Sequence, residues 1–189
     1  MIIGLCGKFG SGKDTIAQYI NDNYCAMKWA FANKLKEIAA DLFDVKTKDA
    51  RGRSILQQLG TKMREIDENV WVNYVINRIK SISEYSTCLH VISDVRFENE
   101  VESVISSGGI VIYLDVDSET RRERCSIRES RVIGIDEWTK ASAHISETCI
   151  DDVANRFHGN KNFIRLLIEK DDNIETVSQR IGLIINEFI

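Results

Sequence analysis

The sequence predicts an α/β fold, a parallel sheet with helices on both faces, and three observations carry that expectation. Short apolar runs alternate along the chain with stretches whose apolar residues recur at helical spacing. The first run leads straight into a glycine-rich loop ending in lysine, followed by a helical pattern. No repeat, low-complexity tract or linker-like shift interrupts the 189 residues, so one domain with a sizeable core is expected.

The elements follow in order. IIGLC (2–6) is an apolar run closed by glycine, as a buried strand would be. Ile16, Ala17 and Ile20 mark a helix over 13–23, and MKWAF (27–31) is a second strand. Leu35, Ile38, Ala39 and Leu42 then form one helix face. Residues 54–59 and 68–85 read as helices, the latter with Val72, Val75, Ile76 and Ile79 on one side. CLHVIS (88–93) is a strand, 97–106 a helix and IVIYLDV (110–116) a strand. A charged helix starts at Ser118, a strand is expected over 162–168, and an amphipathic helix over 174–188 closes the chain.

Composition narrows the function. With 43% apolar and 29% charged residues the chain has the make-up of an ordinary globular protein. The net charge of −4 argues against an overall electrostatic hold on nucleic acid or an acidic membrane. Five scattered cysteines without a C-x-x-C pair, beside three histidines, give no zinc spacing and suit reduced thiols. No leader and no membrane-length apolar run stand out, so a cytoplasmic location is the expectation.

The chemistry starts at GKFGSGKD (7–14), which matches G-x-x-x-x-G-K and departs only in its last position. Glycines let successive N–H groups turn toward phosphate oxygens, and the following helix adds positive potential. Lys13 would reach the terminal phosphates. Asp14 stands where a hydroxyl is usual. It reads either as a Mg²⁺ contact through water or as a first-turn acid favoured by the helix dipole. Asp94 and Arg96 close a strand, at the sheet edge where ligands of doubly wound folds gather. An acid there can hold Mg²⁺ through water or orient an acceptor, and an arginine can fork onto a phosphate. The segment TRRERCSIRESR offers Arg121, Arg122, Arg124, Arg128 and Arg131, with Arg122 and Arg128 preferred as phosphate ligands. Interleaved Glu119, Glu123 and Glu129 allow the alternative of a solvated, salt-bridged face.

GSGKDT, ILQQLGTKMREIDENVWV, VISDVRFENEVE, GGIVIYLDVD and AHISET occur in that order, and together they resemble the deoxynucleoside monophosphate kinases of large bacteriophages. These are in turn similar to adenylate, phosphomevalonate and dephospho-coenzyme A kinases. The resemblance spans roughly the whole chain, and its specific parts are the loop 7–15 and the D-x-R after a strand. It implies a P-loop NTPase three-layer sandwich with a parallel five-stranded sheet. The core would be 1–33, 86–117 and 160–189, with an acceptor-binding helical region at about 34–85 and a lid at about 118–145. It also implies transfer of the ATP γ-phosphoryl to a (deoxy)nucleoside 5′-monophosphate with Mg²⁺. The ATP contacts would be Gly7, Phe9, Gly10, Ser11, Gly12, Lys13, Asp14 and Thr15, and the turn 170–173 would cradle adenine.

The acceptor would meet Phe31, Lys34, Arg64, Trp71, Arg96 and His144; of these Trp71 reads more readily as core. The partners implied are small nucleotides, with host cytoplasm as the location if the source is viral, and a homodimer is left open. Kinases of dephospho-coenzyme A or phosphomevalonate and a non-catalytic ATP-binding regulator are the alternatives.

Overall fold

In the computed structural model, which describes residues 1–46, 49–143 and 145–188, five strands form one sheet in the order β2-β3-β1-β4-β5. The strands are β1 (Ile2–Cys6), β2 (Met27–Trp29), β3 (His90–Val95), β4 (Ile110–Val116) and β5 (Phe163–Ile168). The helices are α1 (Lys13–Tyr24), α2 (Ala32–Phe43), α3 (Ala50–Ile66), α4 (Val70–Ser83) and α5 (Glu98–Ser106). After them come α6 (Ser118–Glu129), α7 (Ile135–Ser142), α8 (Ile145–Arg156) and α9 (Ile174–Phe188). The pairs β1–β3, β1–β4 and β4–β5 are parallel.

Side-chain alternation along β1 assigns the helices to faces. Ile3 and Leu5 join one buried cluster with Ile16 and Ile20 of α1 and Ile181 and Ile185 of α9. Gly4, on the opposite side of β1, faces Val104 of α5 together with Val95 and Val111. Each fully buried aliphatic side chain in such a face contributes about 1.5–3 kcal/mol. β1 is central: the chain goes to β2 and β3 on one side of it and later to β4 and β5 on the other. That reversal opens a crevice at the carboxyl end of β1.

The chain divides into two compact units, Met1–Lys28 with Cys88–Ile189, and Trp29–Thr87. In the second, α2, α3 and α4 pack on one another, and α4 buries Trp71, Val72, Val75, Ile76 and Ile79 as a helical stripe.

Three expectations change. The helix expected over 54–59 runs the 17 residues of α3, capped at its start by the Asp49 carboxylate accepting from Gly52 N at 2.7 Å. Its apolar residues are sparse and glycines stand at 52 and 60, which hides it from a periodicity reading. β3 continues through Asp94 to Val95 instead of ending before the acid. Helices α7 and α8 were not anticipated, although Cys149, Ile150 and Val153 of α8 do carry helical spacing. No helix among the described residues is long and apolar enough to cross a membrane.

Candidate active site

The loop between β1 and α1 bends at Gly7, Gly10 and Gly12, whose φ values are 151°, 83° and 94°. At Gly10 the need for glycine is double. The left-handed φ disfavours a side chain, and a Cβ would lie 2.9 Å from both Arg121 O and Cys125 Sγ. Helix α1 begins at Lys13 with no side-chain cap, so its first-turn N–H groups are available to an anion. Asp14 and Thr15 are exposed in that turn.

Lys13 is folded into this bend. Its Nζ donates to Gly7 O at 2.5 Å and to Lys8 O at 2.9 Å, and the residue is only 9% exposed. Burial, followed by the nearby Arg96 charge, lowers its pKa to about 7, while Cys6, Asp14 and Asp94 oppose the shift. A buried ammonium beside another cation is poised to gain from an incoming polyphosphate. Cys6, beneath the loop, is pushed up to about 12 by burial and is no nucleophile.

β3 delivers half-buried Asp94 and Arg96 to the same crevice. The Glu100 carboxylate accepts from Arg96 N at 2.7 Å and Phe97 N at 3.1 Å, fixing the turn into α5. Cys149 Sγ donates to Arg96 O at 3.5 Å, and the Arg96 guanidinium pairs with Glu147. The second oxygen of Glu147 accepts from Phe9 N at 2.6 Å.

The α6 arginines separate by environment. Arg121 is buried: Nε donates to Val116 O at 3.1 Å, Nη1 donates to Phe9 O at 3.0 Å, and the guanidinium lies 5.3 Å from the Trp138 ring centre. Trp138 in turn donates from Nε1 to Ser118 Oγ and packs with Phe9 at 6.0 Å. Thus both backbone groups of Phe9 and its ring engage protein, and its place in the loop is structural as found here. Arg122 turns to Ile133 O at 3.2 Å, exposed Arg128 lies 5.2 Å from the Phe9 ring centre, and Arg131 pairs with Glu129 and Glu137. Neither Arg122 nor Arg128 lines the cleft of about 210 Å³ beside the loop; Arg124 does, with Ser11, Gly12, Thr15, Asp172 and Asn173.

On the helical unit, Lys34 is half-buried, pairs with Glu37 at 3.0 Å and lies 5.7 Å from the Tyr74 ring centre. Arg64 is half-buried and donates to Gly60 O at 3.4 Å. Phe31 and Trp71 are 2% and 3% exposed, so neither ring offers a face on which a base could stack. The reason is packing: α2 and α4 turn these rings inward with their apolar stripes. His144 lies outside the described residues.

Among the described residues no three His, Cys, Asp or Glu side chains gather to hold a metal. Asp14 and Asp94, both acting electrostatically on Lys13, are the nearby carboxylates. Two carboxylates fit Mg²⁺, which is commonly held by one or two acids, water and substrate phosphates.

Sequence reasoning singled out the loop, Asp94 and Arg96. It missed Glu147, which reads as an ordinary first-turn acid of α8, and the loop-bracing role of Arg121. It did not single out Glu100. The position of Glu100 three residues after Phe97 was the available signal.

Comparison with known proteins bears on the fold and the family. Over 143 residues the chain is 29% identical to a "Putative deoxynucleotide monophosphate kinase" of Acanthamoeba polyphaga mimivirus, covering 61% of this chain and 74% of that protein. Deoxyadenosine kinase from M. mycoides, solved with dCMP and dCDP, superposes with a TM-score of 0.55 at 15% identity, over 99% of this chain and 100% of that one. Shikimate kinase from Aquifex aeolicus gives 0.54 at 15% identity, over 98% and 96%. At such identity these two structures establish the fold alone, a P-loop kinase-like α/β sandwich. The AAA domain family matches residues 3–145, most of the chain. With its glycine-rich loop, its buried lysine and this match, the chain belongs to the AAA domain family.

Proposed function

We propose that this protein is an ATP-dependent kinase that phosphorylates (deoxy)nucleoside 5′-monophosphates to diphosphates. The observation that carries the reading is Lys13, buried in the loop at the crevice of the sheet with its pKa lowered to about 7, beside Asp94 and Arg96. A cation held at that cost is stabilised when a polyphosphate arrives. The likeness to the mimiviral protein supports a monophosphate as acceptor.

The triphosphate lies along Gly7, Gly10, Ser11 and Gly12 and the first turn of α1, with Thr15 beside it, and the base enters the cleft between Arg124 and Asp172–Asn173. Lys13 leaves the Gly7 and Lys8 carbonyls for the terminal phosphates. An oxygen of the acceptor phosphate attacks the γ-phosphorus in line. The bond from that phosphorus to the β–γ bridging oxygen breaks, and ADP leaves with the electron pair. Lys13 follows the charge onto the bridging oxygen, and Arg96 holds the acceptor phosphate through its planar donors. Asp94 orients the acceptor side. Mg²⁺, when bound through water to Asp14 and Asp94, would neutralise phosphate charge. Arg64 and Lys34 are the proposed acceptor contacts on the helical unit.

A coupled assay of ADP release over the common ribo- and deoxyribonucleoside monophosphates tests this, with dephospho-coenzyme A and phosphomevalonate in the same panel. Acceptor-dependent turnover on at least one monophosphate is expected. ATP binding without any such turnover would refute the reading and favour a regulatory nucleotide binder.

A further inference from the structure

Helix α8, whose first turn falls in the AHISET stretch, is tied to the loop and to the β3–α5 corner at several points. Lys8 Nζ meets Asp151 at 2.6 Å, Cys149 Sγ reaches Arg96 O, and Arg156 pairs with Glu98 and with Glu102. The most buried of these ties is Glu147, 6% exposed. Its Oε1 pairs with Arg96 Nη1 and its Oε2 accepts from Phe9 N at 2.6 Å. One carboxylate therefore joins the third residue of the phosphate loop to the arginine at the end of β3. A guanidinium carries five N–H donors in a fixed plane, so a bond at Nη1 sets the direction of the whole fork. Glu100 holds the backbone N–H of the same arginine.

From this geometry we infer that Glu147 is a positioning residue, which aims the Arg96 fork at the acceptor phosphate and fixes its distance from the loop that holds the donor. The consequence for turnover rests on the kinase reading; the positioning itself does not. A misaimed fork costs turnover steeply, because in-line transfer tolerates little displacement.

The test uses the full chain and Glu147→Gln, which keeps the volume and an acceptor for Phe9 N–H while removing the charge; its melting curve confirms that it folds. In ¹⁵N-arginine spectra, with Arg96→Lys identifying the signals, the Arg96 Nη resonances should be resolved and slow to exchange in the wild type and averaged by rotation in Glu147→Gln. An unchanged resonance would overturn the inference. In turnover, kcat/KM for the acceptor should fall about 10–100-fold with the KM for MgATP within about twofold. In an Arg96→Ala background the same change should cost less than about twofold, because Glu147 acts through that arginine. Equal cost in both backgrounds, or tighter pyrophosphate binding by Glu147→Gln, would overturn it; the latter would make the carboxylate a competitor of the ligand. A wild type inactive on every monophosphate would sink the kinase reading and leave the spectra to decide the positioning.

Discussion

The phosphate-loop region and the helical unit handle positive charge in opposite ways. Around the loop, Lys13 and Arg121 are buried, and Arg96 is three-quarters covered and ion-paired to a buried acid. Among the described residues of Trp29–Thr87 the cations stay at or near the surface: Lys34 pairs with Glu37 and Lys62 with Glu65, both three residues along a helix. A buried cation loses hydration and is retained only where something compensates, be it a carbonyl, a carboxylate or an arriving phosphate. A surface cation loses little and gains little. Burial of charge thus marks the groups that the surrounding structure must compensate, and the arginine-rich sequence of α6 illustrates it. Arg121 of that helix is a buried brace, whereas Arg128 and Arg131 are surface groups.

The contrast can be broken at several strengths. Lys13→Ala should lower turnover by about a thousandfold or more, since it removes the charge that follows the transferring group; near-normal turnover in the coupled assay would end the loop assignment. Arg121→Ala should destabilise by about 2–4 kcal/mol in denaturant titration, because Phe9 O and Val116 O lose their donor and Trp138 loses its partner. Arg64→Ala, by contrast, should stay within about 0.5 kcal/mol of wild type. Gly10→Ala should cost about 1–3 kcal/mol through its left-handed backbone and the crowding against Arg121 O.

Proton linkage gives a subtler separation. The folded pKa of Lys13 is lowered from 10.5 to about 7, so between those pH values the unfolded chain binds more protons than the empty folded one. Stability of the empty protein should therefore rise from pH 7 upward. ATP favours the charged lysine, so binding should take up a proton near pH 8 and weaken up to about tenfold per pH unit above 7. Calorimetry in buffers of different ionisation enthalpy reads this directly; uptake unchanged in Lys13→Ala would contradict it. Smallest of all, Lys62→Ala should alter stability by only about 0.2–0.5 kcal/mol, measured by thermal melting in low salt.

The legible parts of the fold were those specified locally. IVIYLDV over Ile110–Val116 declares itself as a short apolar run after two glycines, the closing helix Ile174–Phe188 by its period, and the glycine–lysine loop by spacing. Asp94 and Arg96 were visible because a strand end is where a parallel sheet presents ligands. What stayed hidden depends on contacts distant in sequence. Glu147 meets Phe9 across 138 positions and Arg121 meets Phe9 across 112, and neither partner alters the local pattern around the other. Phe31 misleads for the converse reason, whereas Trp71 is buried as its core reading expects. An aromatic suits a base or a core equally, and only burial distinguishes them.

The chain's three tryptophans divide unevenly: Trp29 and Trp71 belong to Trp29–Thr87, while Trp138 alone lies among the loop-bracing residues. Its indole packs with Phe9 and lies against the Arg121 guanidinium. With Trp29 and Trp71 both changed to phenylalanine, the remaining light would come from a lamp already installed beside the glycine-rich loop, so the proposed filling of that loop could be followed in real time without any dye.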